Sequence, residues 1–333
     1  MPAPQDVPVL LLGFNRPEKV APVLAPLRAV GTRQLFVSLD GPRISKPSDA
    51  AACADTRAAF EQLIDWPCDI QRQYHDVNLG CRAAVSGAVT WALSQVEECL
   101  VLEDDCVIET SFLSLAAELL ARHRGDEKIM HIGAANFQSG LRRGTGDYYV
   151  SKYAHCWGWA TWRRAWQKYE DNLDTLATVV EPSFAKSLHA SEDEVAYWQI
   201  IFERCKRGEV DSWAYRWLFS CWKEGGFALI PNVNLVSNLG FEENGTHTTE
   251  GESGLSPLGV LAGQSAPEEL MPDRDADDHT FHSIFCPPLS AAEKQVFQHR
   301  IRHLKESLKL QKDEVSRLQT ELKSEQKRPW WRR

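Results

Sequence analysis

Three consecutive carboxylates, Glu103, Asp104 and Asp105, follow the apolar run Cys99-Leu100-Val101-Leu102. The run reads as a buried strand that carries the acids to its end. Like charges at neighbouring positions repel one another and resist desolvation, so a cation is the simplest way to satisfy them. A hard divalent ion suits oxygen ligands. Mn²⁺ or Mg²⁺ takes one or two carboxylates and fills its other positions with water and the phosphate oxygens of a nucleotide. An isolated Glu-Asp-Asp is equally compatible with a solvated acidic turn, so the elements around it decide.

Residues 7–14, Val-Pro-Val-Leu-Leu-Leu-Gly-Phe, form a continuous apolar run of strand length, followed by Asn15-Arg16-Pro17 and an amphipathic stretch to about Arg28. Gln34–Leu39 reads as a second strand ending in Asp40-Gly41-Pro42, residues 49–64 as a helix, Asp69–Tyr74 as a third strand before His75, and 80–96 as a further helix. Runs buried on both faces that alternate with helices predict βαβ units. The expected fold is therefore α/β, an open, twisted, mainly parallel sheet flanked by helices. Ligands bind at the carboxyl ends of the strands in such sheets. Arg16, Asp40, His75 and the acidic triplet all follow predicted strand ends, which brings them to one rim. Taken one by one, they also read as a surface cation, the start of an Asp-Gly turn and an exposed histidine. Together they supply a cation for phosphate or base stacking, an acid for a base edge or ribose, and a metal-binding cluster. No Gly-x-Gly-x-x-Gly or Walker sequence follows the first strand, which argues against a dinucleotide enzyme or a P-loop ATPase.

The chain has 333 residues, 43% hydrophobic and 25% charged, enough for a full core in one large domain with an appendage. No apolar run reaches the roughly 18–20 residues of a membrane-spanning helix, and Met-Pro-Ala-Pro-Gln-Asp lacks the basic start of a signal peptide. Nine scattered cysteines without a Cys-x-x-Cys pair suggest neither a disulfide framework nor a zinc site. A cytoplasmic location is expected. Residues 291–333 hold 12 Lys and Arg against 6 Asp and Glu, so a basic tail follows a body of net charge −15. Such an acidic body argues against nucleic-acid binding, which depends on neutralising phosphates.

These segments resemble the GT-A glycosyltransferases that use nucleotide-diphosphate sugars. The resemblance is to the branch containing the N-acetylglucosaminyltransferase that begins complex N-glycans, and to bacterial transferases of surface-polysaccharide synthesis. It rests on Phe14-Asn15-Arg16, on Ser38-Leu39-Asp40, and on Val101-Leu102-Glu103-Asp104-Asp105 followed by Phe112, and it covers about residues 5–250. It implies that the triplet serves as the family's DxD motif, with Asp105 as metal ligand, Glu103 and Asp104 as donor-sugar and ribose contacts, and Arg16 and Asp40 as uridine contacts.

Eight of the twelve tryptophans fall between Trp157 and Trp222. Trp213 and Trp217 lie one helical turn apart, and Trp159, Trp162 and Trp166 follow a helical stripe, a pattern compatible with core packing. Trp157 and Gly158, at the expected entrance to that helix, suit a loop where a sugar ring stacks and backbone approaches closely. The resemblance places a Gly-Trp segment here that shapes the donor and acceptor sites. Asp211, before Ser212-Trp213, could cap a helix. Where the related enzyme reads Asp-Asp-Trp and supplies its base, this chain keeps one carboxylate, so the resemblance implies Asp211 as base with Glu194 as the alternative. Asn238-Leu239-Gly240-Phe241 and Gly245-Thr246-His247-Thr248 match a glycine-rich loop ending in Ser/Thr-His. There His247 would complete the metal's coordination.

The expected organisation is a catalytic domain at 1–250, a Gly-, Ser- and Pro-rich linker or lid at 251–290 and a helix at 291–327 that repeats in sevens. Ile301, Leu308, Val315 and Leu322 form one seam position and Phe297, Leu304, Gln311 and Leu318 the other, a coiled-coil pattern that predicts a homo-oligomer. The tail 328–333, with Trp330-Trp331-Arg332-Arg333, combines aromatics and cations as a peripheral membrane contact or a protein docking site would. The expected activity is metal-dependent, inverting transfer from a UDP-sugar, N-acetylglucosamine first, to a glycan or lipid-linked glycan acceptor. Nucleotidyltransferases that make nucleotide sugars share this kind of domain but carry a Gly-rich loop near the N-terminus that is absent here. A catalytically silent sugar-binding or scaffold protein is the third reading, supported by Ser212 in place of an acid.

Overall fold

Four strands of the first 103 residues pair side by side, three of them apolar runs and the fourth a polar edge strand. In the computed structural model, which describes residues 3–189, 191–241 and 257–286, β1 (Val9–Gly13), β2 (Gln34–Leu39), β3 (Asp69–Tyr74) and β4 (Glu98–Glu103) run parallel in the order β3-β2-β1-β4. Helices α1 (Pro17–Val30), α2 (Ser48–Leu63) and α3 (Cys81–Gln95) connect them. Register aligns the strand ends: Gly13 lies opposite Leu39, Leu39 opposite Tyr74, and Leu12 opposite Glu103. The residues after each strand therefore emerge along one edge.

The remaining elements are β5 (Cys106–Ile108), α4 (Thr110–Arg122), β6 (Ile129–Gly133), β7 (Tyr148–Ser151), β8 (Trp159–Trp162), α5 (Arg163–Trp166), α6 (Leu176–Val179), α7 (Pro182–Leu188), α8 (Glu192–Lys206), α9 (Trp213–Lys223), β9 (Phe227–Pro231), β10 (Val236–Asn238) and α10 (Arg274–Thr280). The sheet grows to eight strands, β3-β2-β1-β4-β8-β6-β9-β7, with β8 antiparallel to both β4 and β6. A separate antiparallel pair, β10 with β5, follows the triplet and sets Asn238 opposite Cys106. The expected α/β architecture, a mainly parallel sheet covered by helices, is the one observed.

Strand alternation divides the core by face. Val9, Leu11, Leu100, Leu102, Ala160 and Trp162 pack with residues of α1 and α4, whereas Leu10, Leu12, Val101 and Trp159 pack with residues of α3, α5 and α9. This corrects the helical stripe expected for Trp159, Trp162 and Trp166. Trp159 and Trp162 belong to a strand, and their spacing of three sends them to opposite faces. Burial of Trp159, Trp162, Trp166, Trp213 and Trp217 is as the core reading expected, each being at most 5% exposed. A third cluster packs Trp198, Phe202, Phe219 and Trp222 around Tyr153. One histidine is built into this interior. Trp217 Nε1 donates to His131 Nδ1 at 3.2 Å, which leaves Nε2 to donate to the His155 carbonyl at 2.9 Å. Burial holds His131 down at about 3, so the ring stays neutral.

Residues 257–286 are not the coreless linker that composition suggested. Ser265 and Asp147 exchange hydrogen bonds, Asp273 N donates to Val150 O at 2.8 Å, Gln138 Nε2 reaches Ala276 O and Thr280, and Asp277 is buried against Ser151 and Lys152. The segment is docked by these polar contacts together with a few apolar anchors, Ala276 and Phe281, too sparse to leave a periodic apolar trace. Residues 257–286 belong to the same compact unit as the sheet. The coiled-coil heptads, the basic tail and His247 lie outside the described residues. No helix among the described residues is long and apolar enough to cross a membrane.

Candidate active site

Glu103 is the last residue of β4, and Asp104 and Asp105 form the turn before β5. Asp104 is 8% exposed and is held by two groups from the end of β1: Phe14 N donates to Oδ2 at 3.1 Å and Arg16 to Oδ1 at 3.4 Å. Arg16 also donates to Asp105 Oδ2 at 2.9 Å. One guanidinium thus faces two of the three acids. Desolvation, reinforced by Asp105 and Asp104 and only partly countered by Arg16, pushes Glu103 up to about 8. Asp104 rises to about 6, driven by desolvation against the pull of Arg16. The triplet is therefore short of positive charge.

That shortage is the fit test for a divalent cation. Among the described residues no group of three or more His, Cys, Asp and Glu is arranged to enclose a metal ion. Mg²⁺ and Mn²⁺ do not need such a cage, because one or two carboxylates complete their shell together with water and phosphate. The triplet suits that open mode. The backbone above it is fitted closely: Leu239 N donates to the Asp105 carbonyl at 2.7 Å, Lys19 reaches the Leu239 carbonyl at 2.6 Å, and a Cβ on Gly240 would lie 2.6 Å from Asp105 Oδ2. Any larger residue there would displace the Asp105 carboxylate.

Asp40 stands at the rim, and its carboxylate organises a loop. Its Oδ1 accepts from Gly41 N and Leu79 N, both at 2.8 Å, and its Oδ2 from Asn78 Nδ2 at 2.8 Å and Gly80 N at 3.2 Å. Any contribution of Asp40 to a nucleotide site passes through the turn that it pins. His75 follows β3 at the same edge, with its N–H on the Leu39 carbonyl. A second buried acid, Asp49 at the start of α2, ties Asn15 to Arg43, whose guanidinium lies 5.2 Å over the Phe14 ring. Asp49 was not singled out by the sequence, since an acid in the first turn of a helix is ordinary.

Trp157 is half-buried, 5.5 Å from the Phe137 ring. Gly158 opens strand β8, not a helix, with φ +62°, and a Cβ there would stand 3.0 Å from Ile108 and 3.3 Å from Ala134. Its glycine is accounted for by backbone conformation and packing.

Asp211 comes to the rim from the other half of the chain. The Ser212 hydroxyl caps α9 by accepting from Tyr215 N, so Asp211 is free of the capping role that its position suggested. Its Oδ2 lies 3.9 Å from where a Gly80 Cβ would be, and its Oδ1 accepts from Arg82 at 2.6 Å. The Cys81 thiol, at the start of α3, feels the whole group: desolvation first, then Glu103, Asp211, Asp40 and Asp105, push it up to about 12. Four acids from three separate stretches therefore lie near one thiol.

Glu194 has a different environment. At 1% exposure it pairs with Lys152 at 2.6 Å, accepts from the Tyr153 hydroxyl and lies 3.3 Å from His189 Nδ1. Desolvation works to raise it but is outweighed by His189, Lys152 and Tyr153, which hold it at about 2. A carboxylate so stabilised is a weak proton acceptor. Its effect is on stability. Glu194→Gln is expected to cost about 3 kcal/mol, because it strands the Lys152 ammonium in the interior. For a domain of this size that lowers Tm by roughly 6–12 °C, to be read by calorimetry at pH 7. The folded value lies below the unfolded one, so the stabilisation is complete above about pH 4.5 and disappears as pH falls towards 2. A difference between variant and wild type that stays constant from pH 7 to pH 3 would remove Glu194 from this role.

No protein-family model matches the chain, and no curated protein matches it. Solved structures similar to it include the mannosyltransferase PcManGT of Pyrobaculum calidifontis in complex with GDP-Man and Mn²⁺, at 11% identity over 68% of this chain and 71% of that one, with a TM-score of 0.36. The galactosyltransferase LgtC, in complex with donor and acceptor sugar analogues, is 12% identical over 58% and 70%, with a TM-score of 0.32. A cytidylyltransferase from Leptospira borgpetersenii is 14% identical over 49% of this chain, with a TM-score of 0.32, and the chain spans 63% of its length.

Proposed function

We propose that the chain is a metal-assisted, inverting GT-A glycosyltransferase that moves a sugar from a UDP-sugar, UDP-N-acetylglucosamine first, to a hydroxyl of a glycan or lipid-linked glycan of bacterial surface-polysaccharide synthesis. The observation that carries this is the charge-deficient triplet at the end of β4, faced by Arg16 and sharing its mouth with an exposed acid, Asp211. Arg16 and the turn pinned by Asp40 line the nucleotide side. Asp105 and His247 would hold the metal, whose charge, when bound, stabilises the departing diphosphate. Glu103 and Asp104 face the donor sugar and ribose, and Trp157 and Gly158 help shape the donor and acceptor sites. Asp211 takes the proton of the acceptor hydroxyl as its oxygen bonds to the anomeric carbon. The C–O bond to the diphosphate breaks in the same displacement, and the nucleoside diphosphate leaves with the electron pair. Cytoplasmic placement, oligomerisation through 291–327 and membrane contact through 328–333 complete the proposal.

A panel of nucleotide sugars, each with and without Mn²⁺, tests it through release of nucleoside diphosphate. Mn²⁺-dependent release from one donor is expected. Pyrophosphate formation from a nucleoside triphosphate and a sugar 1-phosphate would instead identify a nucleotidyltransferase, and tight binding without turnover a sugar-binding protein.

A further inference from the structure

Arg82 is the second residue of α3, and no acid shares the helix's first turn. A cation there opposes the positive end of the helix dipole, so its charge does not serve the helix. Its guanidinium is instead forked between two acids: Nε donates to Asp211 Oδ1 at 2.6 Å, and Nη1 to Asp171 Oδ2. Asp171 is itself fixed. The Tyr169 hydroxyl donates to its other oxygen at 3.1 Å, and Arg216 Nε donates to its carbonyl at 2.7 Å. Arg216 is 4% exposed and anchored on the carbonyls of Cys205, Val210 and Ser212. A chain of fixed groups thus runs from buried Arg216 through Asp171 and Arg82 and ends on Asp211, whose side chain is 60% exposed. Among the described residues, the ion pair to Arg82 is the one that Asp211 makes.

We propose that Arg82 is a positioning residue that holds the Asp211 carboxylate at the mouth of the acidic site, with Asp171 as its brace. An exposed aspartate left alone samples several rotamers, whereas a base must meet its proton in one geometry, and small misplacements are costly. The inference rests on Asp211 acting as the base.

Hydrolysis of UDP-N-acetylglucosamine in Mn²⁺ by the full chain provides the kinetic test. Arg82→Ala is expected to lower kcat by about 10- to 100-fold with KM held within about twofold, and Arg82→Lys to recover most of the loss. On an Asp211→Asn background, Arg82→Ala should cost less than about twofold more, because it acts through the carboxylate already removed. Equal losses on both backgrounds, or an unchanged kcat, would overturn the proposal. Crystal structures give a readout that needs no turnover. The Asp211 carboxylate should leave its place beside Gly80 in Arg82→Ala and return to it in Arg82→Lys; a carboxylate unmoved in Arg82→Ala would equally overturn it. Should the wild type hydrolyse no sugar nucleotide, that result bears on the donor and acceptor of the proposed function and not on Arg82, and the crystallographic comparison still decides whether Arg82 holds Asp211.

Discussion

Asp105→Ala is expected to lower turnover by roughly 10³ or more, the several kcal/mol that a metal contributes to stabilising charge in such a displacement. Metal-dependent binding of UDP should disappear with it. The fold should survive, because the structural link at this position runs through the backbone: the Asp105 carbonyl still accepts from Leu239 N. Arg16 keeps its contact with Asp104. Asp105 also raises both Glu103 and Asp104, so its removal relieves repulsion in the protein without metal. Calorimetric titration with UDP, with and without Mn²⁺, together with a thermal melt, separates the outcomes. Equal affinity of variant and wild type in Mn²⁺ would remove Asp105 as a ligand. A collapsed melt would show that the triplet is structural.

Strands β1, β2 and β4 were legible because each is a largely apolar run that ends abruptly in polar residues, whereas β3, Asp-Ile-Gln-Arg-Gln-Tyr, is a polar strand at the sheet edge. Burial on both faces and parallel pairing leave a strong trace, and parallel register then aligns Gly13, Leu39, Tyr74 and Glu103 without further information. Strand β8 was not legible. Trp159 and Trp162 obey a spacing that fits a helix, and only their pairing between β4 and β6 reveals that they face opposite layers. The segment 257–286 escaped for the converse reason: it is tied down by hydrogen bonds of Asp147, Gln138 and Asp277 and by isolated apolar anchors such as Phe281, which no periodicity records.

Positions of site residues were easier to read than their partners. Asp40 was expected at a strand end and is there, but its four hydrogen bonds to residues 41 and 78–80 could not be read from an Asp-Gly pair. Glu194 was the alternative to Asp211 as base. Its burial against Lys152 depends on the residue just after β7 meeting the first turn of α8, about 40 residues on in the chain. Arg82 carried one local signal, a cation in the first turn of a helix that lacks an acid there, although its partners lie 89 and 129 residues away.

Asp211→Asn gives the second large effect expected. If the carboxylate accepts the acceptor's proton, turnover falls by roughly 10² to 10⁴, the usual share of general-base catalysis, with donor binding little changed. The amide keeps the size and an oxygen for Arg82 but cannot take up the proton. Stability should hardly move, since Ser212, not Asp211, supplies the cap to Tyr215 N. The neighbouring variant supplies the contrast. Ser212→Ala removes that cap and should cost about 1 kcal/mol of stability while leaving proton transfer intact. Two adjacent substitutions thus separate chemistry from folding: one alters kcat with an unchanged melt, the other the melt with a nearly unchanged kcat. If Asp211→Asn turns over at the wild-type rate, the mouth holds an acid that takes no part in proton transfer, and the base must be sought among groups that reach the site only with the donor bound.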